Sequence, residues 1–169
     1  GAQTGTSNSF TVNPGAAAPA TSQVTASPTS IVADGVTTST ITVQLKDANS
    51  NNLTTGGATV TIATTSGTFT NTVQDVGNGT YTRILQSPTT SGSATVTATV
   101  GGSGITDDAT VTFAAGPATK YVVTPASFSV TAGTVVLVTA QLADANNNAV
   151  STSGKTVGWS KTGTGGSFA

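Results

Sequence analysis

The chain of 169 residues contains no cysteine, histidine, methionine or glutamate, and only 7% of its residues are charged. An ordinary soluble domain has about 25% charged residues. Without cysteine, the chain cannot form disulfide bonds or thiolate metal sites. The lack of histidine, cysteine and glutamate also removes the usual general bases and the partners of catalytic nucleophiles. We therefore predict that the chain is not an enzyme and has no cofactor.

Positive charge and long apolar runs are also scarce. The formal net charge is -1, so the chain lacks the basic stripe that neutralises phosphate groups in nucleic-acid binding. No window approaches eighteen consecutive apolar residues, the minimum for a membrane-spanning helix. The sequence therefore predicts no nucleic-acid partner and no membrane insertion.

Threonine is the most frequent residue, and its β-branched side chain favours the pleated, half-exposed surface of a sheet. Glutamate is absent and lysine is rare, although both favour surface helices. The composition therefore predicts an all-β fold. A surface of threonine in place of lysine offers few trypsin sites, which suggests an extracellular location.

An internal repeat organises the chain. The segment VQLKDANSNNL at 43–53 returns as AQLADANNNAV at 140–150, and SFTVNPG at 9–15 resembles TFAAGP at 112–117. Similarity at a fixed spacing is typical of repeat proteins. We interpret the chain as the C-terminal strand of a preceding repeat (residues 1–18), a complete repeat (19–116) and the N-terminal half of a following repeat (117–169).

Within the complete repeat, strand-like segments recur every 8–14 residues or so, separated by turn residues, which is typical of a β-sandwich. The segment Val24 to Ile31 contains Pro28 and is predicted to be one edge strand. Arg83 falls on the same face as Tyr81 and Leu85, an unusual place for a charge. The residues predicted to face inward are Ile41, Val43, Leu45, Val60, Ile62, Phe69, Tyr81, Leu85, Ala94, Val96, Ala98, Val100, Ala109, Val111 and Phe113. Seven strands, two sheets and no helix predict a Greek-key sandwich.

Five motifs carry a family resemblance. V-T-P-x-S, at 123–127, marks the start of a repeat, and it is followed in the pattern by V-x-L-x-D-A-x-x-N at 43–51, T-V-T at 59–61, S-G-T-F at 66–69 and G-T-Y-T at 79–82. They resemble the bacterial Ig-like group 1 repeats of invasin- and intimin-type surface adhesins. The resemblance implies an immunoglobulin-like Greek-key β-sandwich in tandem repeats. It also implies an extracellular stalk, with host receptors or glycans bound through other domains. The motifs mark turns and core positions, so no binding residue carries over.

Two D-x-N-x-N runs resemble the start of a calcium-binding loop, because hard cations prefer such oxygen ligands. In neither copy is the sixth position glycine or the twelfth glutamate, as the helical calcium loop requires. An Asx turn explains the pattern at lower cost, so we predict no metal site and keep calcium as the alternative. The candidate ligands are Asp47, Asn49 and Asn51, and Asp144, Asn146 and Asn148.

Three other features were weighed as sites. Asp107 and Asp108 would point to opposite faces of a strand, so they could not share a proton. Trp159 corresponds to Ile62 in the repeat and is predicted to lie in the core, whereas Tyr121 corresponds to Val24 and is open between core and surface. Lys46 would have to be buried to form an intramolecular isopeptide bond, but the strand alternation turns it outward.

Three functions remain open. In the first, the chain is a non-catalytic structural or adhesive region of a cell-surface protein, in which neighbouring repeats form a stiff spacer. In the second, it is a filament or virion-surface subunit that assembles with identical subunits, and residues 1–17 complete a neighbouring sandwich by strand donation. A carbohydrate- or receptor-binding module is a third possibility, but it would need an exposed aromatic patch.

Overall fold

The structure is a computed structural model, and it describes residues 11–126, 129–152, 154–160 and 167. These residues divide into two compact units, with the boundary between Ala114 and Ala115. All regular secondary structure in the described ranges is β. The described residues form no helix that is long and apolar enough to cross a bilayer. The prediction of an all-β fold is confirmed.

The first unit is a sandwich of two sheets. One sheet has the order β1-β3-β7-β5, with β6 also paired to β7, and the other has the order β2-β10-β8-β4, with β9 paired to β8. The strands are β1 Gln23–Ser27, β2 Ser30–Val32, β3 Thr38–Gln44, β4 Val60–Thr64, β5 Thr68–Phe69, β6 Gln74–Asp75, β7 Thr80–Gln86, β8 Gly92–Val100, β9 Ser103–Gly104 and β10 Ala109–Ala114. Among the described strands of this unit, β2 and β10 alone pair in parallel.

The first predicted strand is in fact two strands in different sheets, so the prediction of one continuous edge strand is wrong. β1 pairs with β3 in one sheet, and β2 pairs with β10 in the other. Pro28 lies between them and has no N–H to continue the ladder of β1. Its carbonyl instead accepts a hydrogen bond from Ser39 Oγ at 2.7 Å. The chain therefore crosses from one sheet to the other at this proline.

The core lies between the two sheets. Strict alternation places Ile41, Val43 and Leu45 inside with no exposed surface, and the inward residues of β8 and β10 are likewise buried. Burying one face of each sheet is the main apolar contribution to folding. Val60 and Phe69 also pack against the core, as their predicted inward direction requires, but both are only half-buried. Phe69 lies on β5, a two-residue strand at the edge of its sheet, so its ring is not fully covered.

Arg83 lies on the inward face of β7, as its alternation indicated, and three contacts explain why a charge is tolerated there. Its Nη1 donates a hydrogen bond to the carbonyl of Ile62 at 2.6 Å, and its Nε donates to the carbonyl of Asn71 at 3.0 Å. The guanidinium carbon lies 4.0 Å from the centre of the Phe69 ring. Because Ile62 belongs to β4, this side chain joins β7 to the edge strand of the opposite sheet.

The second unit contains β11 Lys120–Thr124 and β12 Thr139–Ala143, which pair antiparallel. Tyr121 pairs with Leu142, which corresponds to Leu45, whereas Val24 pairs with Val43. The predicted equivalence of Tyr121 and Val24 is therefore wrong. The segments that lead into β1 and β11 differ in length. As a result, β11 pairs with β12 in a different register from that of β1 with β3.

Trp159 is 43% exposed, which contradicts its predicted place in the core. The described part of the second unit has one two-stranded sheet and no second sheet facing it, so the position that Ile62 fills has no equivalent cover. Residues 1–10 of the predicted strand 1–18 lie outside the described residues, and residues 11–18 form no strand. The proposed division into three repeat segments stays a prediction.

Candidate functional site

A tight polar turn follows β3 and is centred on Asp47. The peptide N–H of Asp47 donates to the carbonyl of Asn51 at 2.9 Å, and Ser50 N–H donates to the carbonyl of Asp47 at 2.9 Å. Ser50 adopts a positive φ of 66°. The D-A-N-S-N sequence forms this turn because a short carboxylate can bond the backbone N–H groups that follow it.

The Asp47 carboxylate is only 4% exposed and accepts four hydrogen bonds. Its Oδ1 accepts the peptide N–H groups of Asn49 and Asn51, both at 2.9 Å. Its Oδ2 accepts Asn51 Nδ2 at 3.0 Å and the peptide N–H of Gly15 at 2.9 Å. The Asn51 side chain and then the Gly15 N–H lower the pKa of Asp47 to about 2, against the opposing effect of burial. The carboxylate is therefore ionised at neutral pH.

The second unit repeats this arrangement at Asp144, which is 3% exposed. Oδ1 accepts the N–H groups of Asn146 at 2.9 Å and Asn148 at 2.8 Å. Oδ2 accepts Asn148 Nδ2 at 2.9 Å and the N–H of Gly116 at 2.8 Å. Burial raises the pKa of Asp144, but the hydrogen bonds from Asn148 and Gly116 outweigh it and leave the pKa below its ordinary value. The same four-donor geometry is thus built twice.

In each unit, the fourth donor comes from the segment that precedes the first strand of that unit. A second backbone bond fastens the same segment: Ala18 N–H donates to the carbonyl of Lys46 at 2.7 Å, and Thr119 N–H donates to that of Ala143 at 2.9 Å. Lys46 and Ala143 occupy the same position in the two copies of the repeat. Each turn therefore holds the chain as it enters the unit.

The structure brings the calcium candidates together only in part. Asp47 lies beside Asn51 and Asp144 beside Asn148, but in each pair it is the Nδ2 group that faces the carboxylate. Asn49 contributes its backbone N–H to the turn. The described residues contain no group of three acidic or other metal-ligating side chains. Because the carboxylate oxygens meet N–H donors, the geometry is that of an Asx turn, and calcium stays the alternative hypothesis.

Asp107 and Asp108 precede β10 and lie in a loop, so the prediction that they occupy adjacent positions of a strand is wrong. Asp107 Oδ2 accepts the N–H of Val24 at 3.0 Å and so caps β1. This contact joins a loop to strand β1 across 83 residues of the chain, and no local sequence pattern indicates it. The pair is not brought into an acid–base arrangement with any residue that the sequence singled out.

Two further aspartates stabilise loops in the first unit, and the sequence analysis missed them. Asp34 accepts the N–H groups of Val36 at 2.9 Å and Thr37 at 2.7 Å, and the Thr37 hydroxyl and backbone hold its pKa well below the usual range. Asp75 accepts the N–H groups of Gly57 at 2.7 Å and Gly77 at 2.8 Å, and these bonds lower its pKa. An aspartate followed within two residues by glycine is a turn signal that could have identified both.

Comparisons with known proteins give a matching family model and several similar solved structures. A family model described as Invasin, domain 3, matches residues 18–116. The chain is 31% identical to invasin, described as a bacterial integrin-binding protein, with a TM-score of 0.62 over 81% of this chain and 29% of that one. It is 32% identical to InvD of Yersinia pseudotuberculosis, with a TM-score of 0.59 over 77% of this chain and 39% of that one. It is also 32% identical to the adhesin InvE of the same organism, with a TM-score of 0.55 over 63% of this chain and 30% of that one.

A comparison with curated proteins gives no match. The chain spans less than half the length of each of these solved structures.

Proposed function

The chain belongs to the invasin domain 3 family, and from this premise we propose that it is a non-catalytic spacer region of a bacterial surface adhesin. Its Ig-like units would hold other domains of the full protein at a distance from the cell. The resemblance read from the sequence motifs is confirmed by the family match over residues 18–116. The spacer role and its stiffness are the parts that need a test.

The observation that carries the spacer role is the short, fastened connection between the units. Ala114 is the last residue of β10, and Gly116 is already hydrogen-bonded to Asp144 of the second unit. Only Ala115 separates these two residues. Pro117 then fixes one backbone dihedral of the same segment. A connection with so little free chain is expected to restrict bending between consecutive units.

The outward faces of the sandwich support a spacer rather than a binding module. Binding hot spots are enriched in tryptophan, tyrosine and arginine. Hydroxyl side chains dominate the outward positions of the described strands in both sheets. These are Thr25, Thr40 and Thr42 in one sheet, and Thr61, Thr95, Thr97, Thr110 and Thr112 in the other. We therefore place recognition of a host receptor or glycan in other domains of the full protein.

Pulsed electron paramagnetic resonance tests the spacer directly. The chain has no native cysteine, so Thr97→Cys and Gln141→Cys would place one spin label on an exposed strand position of each unit. A single narrow distance distribution is expected for a stiff connection. A four-residue Gly-Ser insertion after Ala114 provides the flexible reference. A parent distribution as broad as that of the insertion variant would refute the spacer.

A second candidate function is assembly by strand donation, with residues 1–17 of one chain completing the second unit of another. It is favoured by the apolar side chains that the second unit exposes, including Leu137 at 80% and Val123 at 42%. An open groove of about 610 Å³ beside Tyr121 and Leu142 could receive such a strand.

Light scattering on the full chain and on a variant without residues 1–12 tests this second candidate. The deletion leaves Gly15 and its bond to Asp47 in place. Oligomers that disappear with the deletion would establish assembly as the function. A monomer in both cases would refute it.

A further inference from the structure

We propose that Asp47 and Asp144 are linker clamps. Each carboxylate holds the peptide N–H of a glycine in the segment entering its own unit, and so fixes the path of the connection from the preceding repeat. This inference rests on the proposed spacer function, and it names the residue that makes the connection stiff. These aspartates would be positioning residues, and no ligand is needed for their role.

The strongest support is that the same contact is made across different chain spacings. Gly15 and Asp47 are 32 residues apart, whereas Gly116 and Asp144 are 28 residues apart. The two turns themselves have the same three hydrogen bonds to the carboxylate and a positive φ at the matching residues Ser50 and Asn147. A contact that arose only from a fixed strand register would be lost when the incoming segment changes length by four residues. The glycine N–H nevertheless reaches the same Oδ2 atom at 2.9 and 2.8 Å.

The clamp is separable from the turn that carries it. Three of the four bonds to each carboxylate come from residues two and four positions further along the chain, and these bonds form the turn. Only the fourth bond, from the glycine, reaches the incoming segment. Removing the glycine N–H should therefore free that segment and leave the turn intact.

Charge and burial make this bond stronger than an ordinary backbone contact. The acceptor is an ionised carboxylate, and hydrogen bonds to charged groups are about twice as strong as neutral ones. Asp144 is buried, so water competes poorly for its Oδ2 atom. The incoming segment is also bonded through Thr119, so the two contacts fix it at two points.

The geometry of the glycine allows a clean pair of variants. Gly116 does not adopt a positive φ, so Gly116→Ala keeps the N–H without backbone strain. Gly116→Pro removes the donor without altering the carboxylate. Asp144→Asn removes the charge and presents an NH₂ group to donors. Asp47→Asn makes the same change in the other unit and serves as the matched control.

The first measurement is amide hydrogen exchange at Gly116, followed by NMR in the full chain. Asp144→Asn is expected to accelerate this exchange on the order of tenfold, the effect of losing one such hydrogen bond. Asp47→Asn should leave it unchanged. Unchanged exchange in Asp144→Asn, with the signals of β11 and β12 still dispersed, would overturn the clamp.

The second measurement uses the spin-labelled chain described above. Asp144→Asn is expected to broaden the distance distribution. Gly116→Pro also fixes φ at position 116, so it is expected to shift the mean distance even if the distribution stays narrow. Asp47→Asn and Gly116→Ala should leave both the mean and the width unchanged. If Asp144→Asn unfolds the second unit, Gly116→Pro still tests the clamp, because it removes the N–H donor and leaves Asp144 in place. A distance distribution that is already broad in the parent chain rejects the spacer function. A narrow distribution in the parent chain that keeps both its mean and its width in Gly116→Pro rejects the clamp alone.

Discussion

Replacing Arg83 by methionine should destabilise the first unit more than replacing Lys46, the other positively charged residue of that unit. Methionine keeps most of the apolar stem, so the change removes the guanidinium and its contacts. Those contacts are the bonds to the carbonyls of Ile62 and Asn71 and the stacking over Phe69. Since Ile62 belongs to the opposite sheet, the variant opens one edge of the sandwich.

The expected loss follows from these three contacts. A hydrogen bond from a charged donor contributes about 1.5–3 kcal/mol, and a cation–π contact at a partly exposed site contributes about 0.5–1 kcal/mol. Arg83 is only half-buried, so water can replace part of each interaction. We expect the free energy of unfolding to fall by about 2–3 kcal/mol, which corresponds to about 8–24 °C in Tm for a domain of this size.

The assay is urea unfolding of the full chain, followed by far-UV circular dichroism and by the NMR signals of β3 and β8. Arg83→Lys should show an intermediate loss, because an ammonium cannot form the same fork. Lys46→Met is the matched control, since it removes a positive charge of the same unit for which the described structure shows no side-chain hydrogen bond. An Arg83→Met loss no larger than that of Lys46→Met would refute the reasoning.

Three further results are expected for the first unit. Tyr81→Phe should cost about 1–2 kcal/mol of unfolding free energy, because the buried hydroxyl accepts the Ala58 N–H at 2.8 Å, whereas Tyr121→Phe at a half-exposed site should change little; equal losses in urea titrations would contradict this. Gly79→Ala should destabilise more than Gly101→Ala, since both need a positive φ but only at Gly79 would a Cβ lie 2.2 Å from the Leu53 carbonyl oxygen; equal Tm values would remove the steric argument. The lowered pKa values of Asp34, Asp47 and Asp75 stabilise the fold above their unfolded pKa of about 3.9, so the urea midpoint should be flat above about pH 5 and fall towards pH 2, and a midpoint that rises on acidification would show the sign to be wrong.

The alternation of apolar and polar residues predicted much of the fold. In β8 from Ala94 onwards and in β10, alternate residues are apolar, and these residues are the ones that the structure buries. In β3 the same alternation buries Ile41 and Val43, but it also buries the polar Ser39. The hairpin turn at Gly77 and Gly79 was also predictable, because two positive φ angles there require glycine. Such features depend on residues a few positions apart, which is the range that a sequence pattern can report.

The candidate site was predictable only as a turn. Asp47 and Asp144 stand out in the sequence because each begins a run that repeats with its asparagines. Nothing in the pattern indicated that each carboxylate also holds a glycine 32 or 28 residues earlier. The sequence therefore suggested calcium ligands as the alternative use of these oxygens, and the structure shows N–H donors in front of them instead.

By itself, the sequence determined the all-β class, the repeat and the absence of the usual catalytic side chains, since these follow from composition and local periodicity. Only the tertiary structure decided which charged side chains form long-range hydrogen bonds. Arg83 became a bridge between sheets and Asp144 the centre of a clamp because distant backbone groups lie within hydrogen-bonding distance of them. Long-range contacts of this kind depend on how the two sheets pack, and a local pattern carries no information about that packing.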